Sequence, residues 1–251
     1  MRSDYDRHFD VWEDPFRCVW EHPMSVDVYE PHLFEPKPGQ TQWWIGDPGR
    51  LALTTPGDEH PSLVARQNTL SIEQCQTLID CFERQREAFA AHTGSSYWDG
   101  RYIWQDKIPR TEIDALRIMQ QARLVAHVTI MQEFPPNQPL YSDTAQLVLW
   151  TEGIELTPHA DNLEPDGRPN TTPHRSFSSI IYLNDDYEGG ETYFPGFGVR
   201  IKPQPGLMVL FGSGPEYVHG VTKVRRGRRF TYAGWFTFDR AREDHQARLV
   251  V

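Results

Sequence analysis

From about residue 144 onward, apolar and polar side chains alternate in short runs broken by glycine and proline. Alternation with a period of two marks strands that are buried on one face. Eight runs fit the pattern: 146–150, 154–161, 176–184, 191–194, 199–202, 207–211, 217–224 and 229–238. Each strand must bury its apolar face against another layer, so a series of this kind can close only into a sandwich or a barrel. The predicted architecture is a double-sheet jelly roll of the cupin type, with helices packed outside one sheet. An immunoglobulin-like sandwich is the alternative, but its Cys…Trp…Cys spacing is missing.

The helical preface is equally legible. Ser71 sits at an N-cap with Gln74 three residues on, the two halves of a capping box. Ile72, Cys75, Leu78, Ile79 and Phe82 follow at helical spacing, which predicts a helix over 71–91. A second helix is predicted from near Thr111 to just before Pro135-Pro136. Its expected apolar side is Ile113, Leu116, Met119, Ala122, Leu124 and Val128. Between the helices, Tyr97 to Trp104 is aromatic and strand-like. Residues 1–66 have no sustained period but carry Trp12, Trp20, Trp43 and Trp44, an aromatic load that disordered segments avoid. The plan is therefore an extension over 1–66 wrapped on a main domain over 67–251. Within that domain, 67–143 gives helical support and 144–239 the jelly-roll core.

Charge and cysteine narrow the function. Thirty-five acidic against 25 basic residues give a net charge of −10, which argues against a nucleic-acid groove. The basic run Arg225 to Arg229 reads as a turn entering a strand, with one arginine pointing inward. Cys18, Cys75 and Cys81 match no zinc spacing, and the latter two, six apart on a helix, do not face each other. The opening residues lack an apolar signal core, and no run approaches the ~18–20 apolar residues of a membrane span. A cytoplasmic protein with no membrane segment is expected, as a monomer or a homodimer.

The chemistry begins at His159-Ala160-Asp161. At i and i+2 on a strand, the imidazole and the carboxylate lie on one face, about 6–7 Å apart along the backbone. Alone the pair is weak. His219 supplies a second imidazole 60 residues later, on a strand that a jelly roll can fold back beside the first. Two histidines and one carboxylate are the facial ligand set that holds Fe(II) and leaves coordination positions open. Arg229 then starts the last strand, where alternation puts Arg229, Thr231, Ala233 and Trp235 on one face. A guanidinium turned inward needs a partner, and a ligand carboxylate can supply one bidentately.

Residues 144–239, about 40% of the chain, resemble the catalytic core of the 2-oxoglutarate/Fe(II)-dependent dioxygenases, of the prolyl 4-hydroxylase-like type. The resemblance rests on Thr157 to Asn162, Ile181 to Asp185, Glu188 to Pro195, Pro203 to Gly206, and His219 through Arg229. It implies that His159, Asp161 and His219 bind Fe(II), and that Arg229 binds the distal carboxylate of 2-oxoglutarate. Thr231 and Tyr182 would hydrogen-bond the same carboxylate, and Gly189-Gly190 would form the tight turn before Thr192 and Phe194. The retained aspartate implies a hydroxylase, since family halogenases have a small residue there. The implied reaction hydroxylates an unactivated C–H of an amino-acid-type substrate, free or peptidyl and proline-like by preference, and releases succinate and CO2. It uses Fe(II), 2-oxoglutarate and O2, with ascorbate as an expected stimulant. Trp150 departs from the pattern, standing where related enzymes often have a tyrosine near the oxoglutarate; an indole offers one donor and no acceptor. Arg101, Trp104, Trp150, His174 and Arg175 are the candidate substrate contacts, and the polar loop 162–175 is an expected lid. Two alternatives stay open: the same chemistry on another small metabolite, and a non-catalytic cupin-like protein that binds or senses a metal.

Overall fold

The computed structural model describes residues 34–54, 63–90 and 97–245. Trp12, Trp20, Cys18 and His92 lie outside the described residues. In chain order the elements are β1 (Ala52–Thr54), β2 (Val64–Arg66), α1 (Ile72–Phe89), β3 (Tyr102–Trp104), α2 (Ile113–Glu133), β4 (Tyr141–Trp150), β5 (Leu156–His159), β6 (Arg175–Tyr182), β7 (Thr192–Phe194), β8 (Val199–Ile201), β9 (Met208–Gly212), β10 (His219–Val221) and β11 (Arg229–Thr237). Two sheets form the jelly roll. One runs β1-β8-β7-β10-β5; the other runs β2-β9-β6-β11-β4-β3. None of the described helices is long and apolar enough to cross a membrane.

The larger sheet is covered on both faces. Helices α1 and α2 pack on the outer face, where Leu78, Phe82, Met119 and Ile130 meet Leu147, Leu149, Tyr232 and Phe236. Val148 and Trp150 of β4 point the other way, toward the smaller sheet and Val221. Alternation thus sorts β11 as well. Phe230, Tyr232 and Phe236 serve the helical layer, and Arg229 and Thr231 line the space between the sheets. Fully burying one large apolar side chain contributes about 1.5–3 kcal/mol, so the helical layer is a principal source of stability.

Helix α1 starts at the Ser71 capping box as the sequence predicts: Gln74 N–H donates to Ser71 Oγ at 3.2 Å, and Ser71 N–H donates to Gln74 Oε1 at 2.9 Å. Helix α2 requires a correction. Its buried face is Ala115, Leu116, Met119, Ala122, Arg123, Ala126, Thr129 and Ile130, whereas Leu124 is 64% exposed and Ile113 and Val128 are also exposed. The alanines set this face, because their small side chains let the helix approach the sheet closely. Two strand ends also move. The run at 154–161 narrows to β5, with Asp161 in the bend beyond it, and the run at 217–224 narrows to β10 behind a short 3-10 turn over Pro215–Tyr217.

Residues 34–54 lie against the smaller sheet as a strap. Strand β1 pairs in parallel with β8, and the Arg200 guanidinium donates to the Leu51 and Gly49 carbonyls. Trp43, 4% exposed, packs with Ala160 and Val218, flanked by Phe34 and Leu163. The Trp44 ring lies 5.9 Å from that of Tyr193.

Candidate active site

Strands β5 and β10 pair antiparallel with His159 opposite His219. This register brings together two imidazoles distant in sequence, with ring centroids 4.4 Å apart. Asp161 follows in the bend, its N–H bonded to the Ser213 carbonyl at 3.0 Å. Ligand atoms of His159, Asp161 and His219 all lie within 4.8 Å of one another. Each imidazole makes a bond with its Nδ1 to the carbonyl two residues earlier: His159 to Thr157 at 3.1 Å, His219 to Tyr217 at 3.0 Å. A carbonyl only accepts, so each Nδ1 carries a hydrogen, and in the neutral ring Nε2 keeps its lone pair for a metal. His159 Nε2 lies 3.6 Å from Asp161 Oδ1.

Asp161 is oriented through its other oxygen. Ser178 Oγ donates to Oδ2 at 2.5 Å and Trp235 Nε1 donates to it at 3.2 Å. Ser178 and Trp235 face each other in the register of β6 and β11. Burial opposes ionisation of Asp161, but the His159 contact and the charges of His219, His159 and Arg175 outweigh it and hold the carboxyl well below its usual range. Burial, with His159 alongside, lowers His219 to about 4, so this ring is neutral near pH 7. Two neutral-capable imidazoles and a carboxylate, each fixed from behind, fit a divalent ion of the Fe(II) type with an open face.

The other end of the pocket is built on Arg229, 1% exposed. Its guanidinium lies between the Trp150 ring at 5.1 Å and the Tyr182 ring at 5.3 Å, and Trp150 is its register partner on β4. Among the described residues no carboxylate forms a salt bridge with it, and its Nε has no hydrogen-bond partner. Thr192 completes this end. Its hydroxyl accepts from Tyr182 Oη at 2.7 Å and from Arg229 Nη2 at 3.2 Å. With both lone pairs used, Thr192 retains one O–H to donate. A buried guanidinium without an anion is costly, and the site therefore fits a ligand carboxylate, as oxoglutarate provides. Gly190 makes the close packing possible: at φ +67°, a Cβ there would stand 3.0 Å from Arg229 Cδ.

Several predicted residues meet in one pocket. His159, His219, Arg229, Thr231 and Trp150 line it together with Trp98 and Gln146. Tyr182 reaches it through Thr192. Trp150 stands against Arg229 on one side and Trp98 on the other. Arg175 stacks 3.6 Å over the Trp235 ring, and its buried Nε lies 3.9 Å from Asp143 Oδ2. Trp104 packs between Tyr102 and Trp235, with ring centroids 5.3 Å and 6.3 Å away. His174 is engaged elsewhere, its Nε2 3.1 Å from Asp143 Oδ2. Arg101 lies over Tyr97 at 5.1 Å. The loop 162–175 is a small hairpin with a Leu163–Pro169 bridge. It is tied by Thr172 Oγ1 to the Asp161 carbonyl, by Asn162 Nδ2 to the Arg175 carbonyl, and by Lys37 N–H to the Pro165 carbonyl.

Sequence reasoning missed Trp98, Gln146 and the role of Thr192. Alternation could have found Gln146, which shares the inward face of β4 with Val148 and Trp150. Trp98 lies in an irregular segment with no period to read.

Comparison with known proteins places these residues in a family. Residues 145–237 match the 2OG-Fe(II) oxygenase superfamily model. Over 211 residues the chain is 28% identical to prolyl 3-hydroxylase 2 of Rattus norvegicus, covering 70% of this chain and 30% of that protein. The chain thus spans under a third of that relative's length. A collagen prolyl hydroxylase from Paramecium Bursaria Chlorella virus-1, solved as a 2OG complex, superposes with a TM-score of 0.56 at 17% identity, covering 71% of this chain and 97% of that one. A Trichoplax adhaerens prolyl hydroxylase in complex with a hypoxia inducible factor peptide fragment gives 0.55 at 14% identity, covering 72% and 86%. These structural likenesses establish the fold, a double-stranded β-helix. Through residues 145–237, the chain is similar to the 2OG-Fe(II) oxygenase superfamily.

Proposed function

We propose that this chain is an Fe(II)- and 2-oxoglutarate-dependent hydroxylase acting on a prolyl residue within a peptide. The observation that carries the reading is the meeting, in one pocket, of a three-ligand metal face and a buried arginine that lacks an anion. His159, Asp161 and His219 would hold the iron. Iron, oxoglutarate and O2 supply the oxidation: substrate C–H, oxoglutarate and O2 become C–OH, succinate and CO2. The protein's own residues do the placing. Arg229 and Thr192 bind the distal carboxylate, Tyr182 fixes the Thr192 hydroxyl, and Ser178 and Trp235 fix Asp161. The two sheets wall the pocket on either side.

A peptidyl substrate is supported by the aromatic wall beside the metal. Trp150, Trp98, Tyr102, Trp104 and Trp235 follow one another with centroids 5.3–6.3 Å apart. Aromatic-lined grooves suit proline-rich extended peptides, whose rings lie flat on such faces. The peptide bound by the Trichoplax adhaerens relative and the prolyl 3-hydroxylase similarity support the same reading. The test is succinate formation under air with Fe(II), oxoglutarate and ascorbate, comparing prolyl peptides with free proline and other amino acids. Stimulation by prolyl peptides that His159→Ala abolishes is expected. Equal turnover with free amino acids, or activity surviving His159→Ala, would refute it.

A further inference from the structure

Arg229 has a neighbour that none of the motifs above assigns. Tyr187 lies in the loop between β6 and β7, and its hydroxyl is sealed from water without a hydrogen-bond partner. Its ring and the Arg229 stem converge on one point: a Cβ on Gly190 would stand 3.0 Å from Arg229 Cδ and 3.1 Å from Tyr187 Cε2. Gly227 makes room on the far side, where a Cβ would stand 3.1 Å from Tyr187 Cβ. The loop is thus shaped to bring a phenol beside the guanidinium. It stands there without a well-formed hydrogen bond to it.

Buried polar atoms without partners are few in folded proteins, and each calls for an explanation. Among the described residues five side-chain atoms are of this kind; one is Arg229 Nε itself, and two others belong to Trp150 and Tyr187, which pack beside Arg229. Phenylalanine at 187 would pack the same ring without stranding a hydroxyl, so apolar packing alone does not account for the tyrosine. We propose that Tyr187 is a co-substrate-binding residue whose hydroxyl donates to the distal carboxylate held by Arg229 and Thr192. The proposal rests on the reading that this pocket takes oxoglutarate. Burial pushes the phenol up in pKa, and Arg229 opposes this only in part, so the hydroxyl stays protonated and remains a donor.

The test is Tyr187→Phe in the full chain, read by oxoglutarate titration calorimetry with Mn(II) in place of iron and by thermal melts without ligand. A hydrogen bond to a charged group lost on substitution weakens oxoglutarate binding about tenfold or more. Mn(II) affinity should be unchanged, and the unliganded melting temperature unchanged or raised, because a stranded hydroxyl is removed. Oxoglutarate affinity within twofold of wild type overturns the proposal. So does a clear fall in the unliganded melting temperature, since the hydroxyl would then have a partner within the protein. If wild-type protein itself fails to bind oxoglutarate, the hydroxylase reading falls, and this assignment with it.

Discussion

Ser178 touches no ligand of the proposed reaction, yet its removal should weaken the metal centre. Its one proton goes to Asp161 Oδ2 at 2.5 Å, so in its 2.8 Å contact with Ser213 the donor must be Ser213. The result is a chain, Ser213 to Ser178 to Asp161, that ends on a carboxylate held ionised. Ser178→Ala removes a hydrogen bond to a charged acceptor, worth about 1.5–3 kcal/mol. That corresponds to a loss of about 10- to 100-fold in metal affinity, the range seen when groups orienting a ligand are removed. Trp235 still donates to Oδ2 at 3.2 Å, so the lower half of that range is expected. Mn(II) binding followed by electron paramagnetic resonance, which counts the free ion, gives the affinity directly. Ser213→Ala is the control: it leaves the Ser178–Asp161 bond in place and should cost less than Ser178→Ala. If Ser178→Ala binds Mn(II) within threefold of wild type, or if Ser213→Ala costs more, the orienting chain does not act as described.

Thr192→Val removes the remaining donor O–H and the acceptor shared by Tyr182 and Arg229. Calorimetry should show oxoglutarate binding weakened about tenfold or more with Mn(II) affinity unchanged. His127 is held below its ordinary 6.5 by burial. Its neutral form favours the fold, so its contribution is present above the unfolded-state value and is lost as pH falls through the lower folded-state value. Thermal melts should show wild type losing more stability than His127→Gln between about pH 7 and pH 5; parallel curves would contradict this. On α2, Met119→Ala should cost about 2–5 kcal/mol in denaturant melts, whereas Leu124→Gln should stay within about 0.5 kcal/mol.

The metal and carboxylate residues were legible because strand geometry leaves little freedom. Arg229 to Trp235 at alternate positions of β11 can share a face in only one way, and His159 at the end of β5 leaves Asp161 only two residues of reach into the bend. Ser71 and Gln74 are comparably constrained by cap geometry. Helix α2 was harder to read. It is apolar on more than one side, and periodicity cannot say that Ala115, Ala122 and Ala126 win the sheet-facing side over Leu124 and Val128. Thr192 carries no signal of its own: its importance comes from receiving Tyr182 and Arg229, both contributed by other strands. Trp43 meets Ala160 and Val218 across more than a hundred residues of chain, and no local pattern encodes such a partner.

That last contact bears on where the working unit begins. A fragment starting at residue 67 would still contain His159, Asp161, His219 and Arg229, every side chain that touches the chemistry. It would lose β2 and Leu63, and with Trp43 it would lose the wall behind Ala160 and Val218, the residues adjoining the two histidines. Trimming the amino-terminal side therefore removes the mechanical backing of the iron site while leaving its chemical inventory intact.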